Sequence, residues 1–126
     1  MSRNGRFVDA VKVDPSLIAP SSSRPDANET VAGSPLRTTW ICHPATDEGF
    51  ECGVWECEVG SYRLEFDAGT SEFFCVQSGL VRMVSDSGHV VECGAGEACV
   101  IPAGFRGIVE VVEPVRKHYV YRKGPA

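Results

Sequence analysis

In GSYRLEFDAGTSEFFCVQSG, residues Gly60 to Gly79, one acid stands directly before a pair of aromatic residues: Glu72 precedes Phe73 and Phe74. Turned into an apolar interior, that carboxylate is costly, because desolvation disfavours its charged form and full burial raises a carboxyl pKa by roughly 3 to 5 units. It therefore needs a partner or must keep its proton. Arg63, Arg116 and Lys117 are the candidate cations, and the hydroxyls of Tyr62, Tyr119 and Tyr121 are candidate donors. If Tyr119 and Tyr121 face inward, Lys117 shares their side, since alternate residues of a strand point the same way. So partnered, Glu72 fits the pattern of a concave site, with a few polar groups among apolar walls. Trp55, Phe66 and Phe74 are the expected aromatic walls. Glu72 is also the catalytic candidate, as a general acid or base within reach of a substrate proton. The structural alternative is that Glu72 caps the turn after Gly69, accepts backbone N–H groups and does no chemistry.

Soft and nitrogen donors are present but scattered. His43 precedes Pro44, His89 follows a turn, and His118 alternates with Val120 and Arg122. Cys57, Cys75 and Cys99 lie on different expected strands and are the candidates for a displaced soft site. None of the six cysteines forms a C-x-x-C pair. The N-terminus has no uninterrupted apolar stretch long enough for a signal peptide or a membrane span. We therefore expect a cytoplasmic protein with reduced thiols that pack as small hydrophobes, the alternative being one thiol that lines a pocket.

A chain of 126 residues is the size of one domain. Its formal charge of −5 argues against nucleic acid as the main partner, because phosphate binding needs a clustered basic face. The basic residues gather only at Arg116, Lys117, Arg122 and Lys123, which reads as a solvated strand end. Apolar residues recur in short alternating runs cut by Gly, Asp and Pro, with no sustained helical spacing, so the expected class is all-β. Strands are expected at 38–43, 50–59, 61–67, 73–78, 79–85, 90–93, 98–101, 107–112 and 117–122. Asp86 to Val90, DSGHV, reads as a hairpin turn. Alternation puts Tyr62, Leu64 and Phe66 on one side, and Trp55, Cys57 and Val59 likewise share a side. Residues 1–36 read as an extended, partly irregular arm, 37–123 as the compact domain and 124–126 as a tail.

Two glycine-anchored segments then align. Gly60 is followed at fixed spacing by Phe66, Ala68, Glu72 and Gly79, and Gly96 by Pro102, Gly104 and Gly107. The pair resembles the two motifs of the cupin superfamily. Together with GVWECEVG, SEFFCVQSG and PAGFRGIVEVVEPVRKHYV, it is similar to the small cupins that include the ureidoglycine aminohydrolase cupin domain and the ethanolamine-utilization cupin. The resemblance implies a double-stranded β-helix, a jelly-roll barrel with its site in the mouth. In metal-binding cupins these motifs supply three histidines and a glutamate; the corresponding positions here are Phe66, Ala68, Glu72 and Gly107, of which only Glu72 is a donor. A first-row divalent ion needs about three or more converging ligands, so no metal and no cofactor is expected. Val109 stands where the subfamily usually has tryptophan.

The expected function is a metal-independent small-molecule-binding cupin, its ligand near Glu72. The alternative is an enzyme of the ureidoglycine aminohydrolase type acting on a small nitrogen-containing or carboxylate metabolite. A sugar isomerase or epimerase of the metal-free cupin kind would want a facing His and Tyr. A homodimer is expected, on the argument that unpaired sheet edges are covered and that the arm crosses to a second subunit.

Overall fold

The computed structural model describes residues 2, 3, 6–46 and 48–124. Of the expected tail, residues 125 and 126 lie outside the described residues. The chain is built almost wholly from strands: β1 (Ser2–Arg3), β2 (Arg6–Phe7), β3 (Ser21–Ser23), β4 (Thr30–Ala32), β5 (Arg37–His43), β6 (Phe50–Cys57), β7 (Gly60–Glu65), β8 (Thr70–Ser85), β9 (Val90–Gly94), β10 (Ala98–Ile101) and β11 (Arg106–Lys123). One short 3-10 turn, Pro15–Leu17, interrupts them, capped by the Asp14 side chain. Among the described residues no helix is long and apolar enough to cross a membrane.

Two strands organise the rest. The first halves of β8 and the second half of β11 pair with β10 on one side and with β6, β5 and β3 on the other. The second half of β8 and the first half of β11 pair instead with β9, β7 and β4. One continuous sheet thus curls into two facing halves that share β8 and β11. The sequence splits each of these into two strands, at Gly79 and between Val112 and Lys117; in the fold each runs unbroken through an irregularity.

That irregularity sets which side chains face inward. Pairing between β8 and β11 slips by one residue between Lys117↔Val76 and Val111↔Val81. On β8 the buried positions accordingly change phase, from Glu72, Phe74 and Val76 to Val81 and Met83, while β11 keeps one phase through Val109, Val111, Val115, Lys117 and Tyr119. Gly79 sits at the switch with φ +88°, and a Cβ there would fall on the Pro114 carbonyl. Only glycine meets both demands cheaply.

The core lies between the halves, with Tyr62, Val81, Met83, Val109 and Val111 facing Cys57, Phe74, Val76, Ile101, Val115 and Tyr119. Tyr62 and Leu64 face it as alternation expects. Val59 does not: β6 ends at Cys57, the chain bends before Gly60, and Val59 is exposed. Phe66 lies beyond the end of β7, tied by its N–H to the Phe105 carbonyl at 2.8 Å. The turn Asp86 to His89 closes the β8–β9 hairpin, with Gly88 N–H on the Ser85 carbonyl.

The arm is less irregular than its composition suggests. β3 pairs with β5 and β4 with β7 within the same chain, and Leu36 N–H donates to Glu58 Oε1 at 2.8 Å. Both segments therefore cover edges of their own barrel, so the argument that the arm crosses to a second subunit loses its basis here.

Replacing Gly79 by alanine should cost at least about 1–3 kcal/mol, the range for a residue held in disfavoured backbone. A urea titration checks this; an unchanged midpoint would mean that the β8 phase switch tolerates a side chain.

Candidate functional site

Glu72 is buried and forms an ion pair with Lys117, Nζ to Oε2 2.7 Å, their side chains 2% and 10% exposed. Neighbouring strands set the meeting: Tyr121 lies opposite Glu72 on β8, and Lys117 lies opposite both Val76 on β8 and Trp55 on β6. The ammonium is further held against aromatic faces, 3.9 Å from the Phe74 ring centre and 4.5 Å from that of Trp55. Such contacts replace part of its lost hydration. Beside this close contact, the Tyr121 phenol hydrogen-bonds the same carboxylate.

The pair borders a small cavity of about 30 Å³ whose other walls include Trp55, Tyr62, Leu64, Met83, Ile101, Val109 and Tyr121. Burial, and next the neighbouring Glu72 carboxylate, push the Tyr121 phenol well above its ordinary range. Burial likewise raises Tyr62. Both phenols thus keep their protons and can donate. Met83 and Ile101 also line a second pocket of about 380 Å³ formed with Val91, Cys99, Pro102 and Phe105, with Ser85 and His89 among its polar walls.

Of the expected site residues, the structure brings Trp55, Tyr62, Glu72, Lys117 and Tyr121 around the cavity. Phe74 lies beneath Lys117, fully buried. Phe66 meets Tyr121 edge to face, ring centres 5.9 Å apart. Tyr119 points inward but its hydroxyl donates to Glu51 Oε2 at 2.8 Å, so it does not serve Glu72. The other proposed cations are engaged outside: Arg63 with Asp86 at 2.6 Å, and Arg116 with Glu56 and Gln77. Lys117 also leaves the basic cluster read as solvated, because the phase of β11 turns it inward. Nor does Glu72 cap the preceding turn. Asp67 Oδ1 does that, accepting Gly69 N–H at 2.8 Å, an Asp-x-Gly signal that the sequence displays. Glu51, Met83 and Ile101 were not singled out; Glu51 is one charge in an otherwise ordinary strand, and the other two look like any core residue.

The metal expected of metal-binding cupins does not fit these residues. Phe66, Ala68 and Gly107 offer no side-chain donor. A Cβ on Gly107 would strike the Val84 carbonyl and approach Phe105 Cζ to 2.7 Å, which leaves no room for a larger ligand there. Among the described residues no three His, Cys, Asp or Glu side chains converge as metal ligands. His43 stacks on Phe50 and contacts Glu48 Oε2 at 3.0 Å, while His118 is exposed.

Two facing sheet halves sharing long strands, with a polar pair inside, define a cupin jelly roll. The matched family model is the EutQ-like cupin domain, over residues 44–119, well over half of the 126 residues. The chain belongs to that family. Among solved structures it is similar to EutQ of Clostridium difficile, at 21% identity over 71% of this chain and 64% of that one, TM-score 0.62. A putative ethanolamine utilization protein Q of Salmonella typhimurium matches at 14% identity over 86% of this chain and 98% of that one, TM-score 0.62. A DUF861-family protein from Pseudomonas syringae pv. tomato matches at 20% identity over 86% of this chain and 46% of that one, TM-score 0.73. The chain thus spans less than two thirds of the first and third of these. At such identities the likeness is one of fold. No curated protein matches.

Removing one partner of a buried pair strands the other charge, at roughly 3–5 kcal/mol, whereas replacing both with apolar groups is often neutral. Lys117→Met should therefore lower stability by about that amount and the double variant Lys117→Met/Glu72→Leu should recover most of it, measured by urea unfolding. Equal losses in both variants would mean that the pair's charge is not what is buried.

Titration gives a second check. Burial pushes the Cys57 thiol up to about 12 from 9.0. Below pH 8 it is neutral folded and unfolded and contributes nothing. From about 9 to 12 only the unfolded chain releases the proton, so stability falls with pH, by at most about 1.4 kcal/mol per unit for this one thiol. Cys57→Ala should flatten the start of that decline in unfolding midpoints taken between pH 8 and 10; an identical decline would assign it wholly to other groups.

Proposed function

We propose that this cupin binds one small molecule without a metal, between its sheet halves at the Glu72–Lys117 pair. The observation that carries the reading is the buried Glu72–Lys117 pair, 2.7 Å apart, standing in the wall of an internal cavity with two phenols beside it. Concave sites pair a few such polar groups with apolar walls. The inner cavity takes only a head group. The pocket beyond Met83 and Ile101, about 380 Å³, falls in the range of small-molecule sites, roughly 300–1,000 Å³, and takes the remainder.

An enzyme of the ureidoglycine aminohydrolase type would need the motif histidines, and the donor set here gives that alternative no support. A homodimer in the cytoplasm is retained as part of the proposal. Its support is now the edges of β9 and β10, each paired only with β8 among the described residues.

A thermal-shift screen against a metabolite library, with and without divalent metals, tests the reading. A ligand should raise the melting temperature increasingly with its concentration, and a chelator should leave the shift unchanged. A stoichiometric ion retained through purification without chelators would overturn it.

A further inference from the structure

We propose that the ligand is uncharged, with a head group that both donates and accepts a hydrogen bond, an alcohol or a primary carboxamide, on a short apolar body. This rests on the binding reading above and adds the ligand's class.

Charge is the first constraint. Glu72 and Lys117 already neutralise one another at 2.7 Å. The remaining cavity walls offer Tyr62 and Tyr121 as the other titratable groups, and burial holds both phenols neutral. A carboxylate, phosphate or ammonium entering there would be a third, unmatched charge, and an uncompensated ion in a protein interior costs several kcal/mol. Charged ligands are therefore selected against by the very pair that makes the site polar.

Hydrogen bonding is the second. A carboxylate accepts more than one hydrogen bond, so beyond its 2.7 Å contact with Lys117 Glu72 still has acceptor capacity that a pure acceptor such as an ether or ketone leaves unused. An ammonium carries three donors and no acceptor; that of Lys117 directs itself at one carboxylate and two aromatic faces. With the two protonated phenols beside it, the site also supplies donors in excess. A hydroxyl or a carboxamide answers both needs at once, donating to Glu72 and accepting from Lys117 or a phenol.

Size and surroundings are the third. One water-sized group needs about 10–15 Å³ of such volume, so a cavity of about 30 Å³ accommodates a head group of two polar atoms and no more. Met83 and Ile101 separate it from a second pocket whose walls include Val91, Cys99, Pro102 and Phe105. An aliphatic body is what such walls favour. Met83, unbranched and adaptable, is the wall residue suited to yield so that such a body reaches the second pocket.

Four probes of one shape decide the matter: isobutyramide, isobutanol, isobutyrate and isobutylammonium, titrated into the full chain while the methyl resonances of Met83 and Ile101 are followed. The amide and the alcohol should shift both methyls saturably, and the two ions should bind at least about tenfold more weakly, equivalent to 1.4 kcal/mol. In Glu72→Gln the Lys117 charge loses its match, and the preference should turn towards isobutyrate. If that variant does not fold, the ranking on the unaltered protein still decides. Isobutyrate or isobutylammonium binding the unaltered protein as tightly as the amide would overturn the ligand class while leaving the binding site intact. If no probe moves either methyl, both the class and the binding reading fall.

Discussion

A charge taken out of water must be matched where it lies, and the interior of this barrel is arranged around one such match. Glu72 cannot ionise cheaply between two apolar sheet halves without Lys117, and Lys117 cannot be held 10% exposed without Glu72 and the two aromatic faces that flank its ammonium. Neither residue has another described ion-pair partner to fall back on. The pair lies on β8 and β11, the two strands that belong to both sheet halves. Its geometry is thus tied to the curl of the whole sheet and not to one hairpin.

That dependence explains the backbone irregularity. If β8 kept the phase of Val81 and Met83 back to its start, Glu72 would point outward and Phe73 inward. The one-residue slip against β11 at Gly79 reverses this. The exposed face then carries Phe73, and the core carries a carboxylate. An apolar residue in solvent is tolerable; a buried acid must be accommodated by everything around it. The slip therefore commits the surrounding strands to supply a cation, and β11, which keeps its phase, presents Lys117 while Arg116 beside it turns out to Glu56.

Much of this was legible in the sequence. The alternation of SYRLEF and the placement of turns fixed the strand class, and the spacing of Gly60, Glu72, Gly79, Gly96 and Gly107 carried the family likeness. Five of the eight expected site residues line the cavity: four follow from alternation on β6, β7 and β11, and Glu72 comes from the first half of β8. What escaped reading has a common cause. Tyr119 and Tyr121 share a face, yet only one reaches Glu72, because the other's hydroxyl finds Glu51 on the adjacent strand. Lys117 reads both as an inward partner of Glu72, which the strand phase bears out, and as part of a solvated cluster, because four cations close in sequence say nothing about phase. The arm looked irregular because strands of three residues, β3 and β4, are too short to show alternation.

The same phase logic bears on why the ordinary metal chemistry of the superfamily does not carry over. By the resemblance, Glu72 is the single donor left of four, and a lone carboxylate inside a barrel still needs a positive neighbour. Here Lys117 provides it, an organic cation in the role of charge partner. An ion and this ammonium would compete for the same oxygen. At Gly107, strand pairing with Leu64 and Ser85 brings the Val84 carbonyl where a side chain would begin. Restoring a ligand there would mean moving backbone as well as changing a residue. The motif positions are thus closed to the metal chemistry of the superfamily by packing as well as by composition.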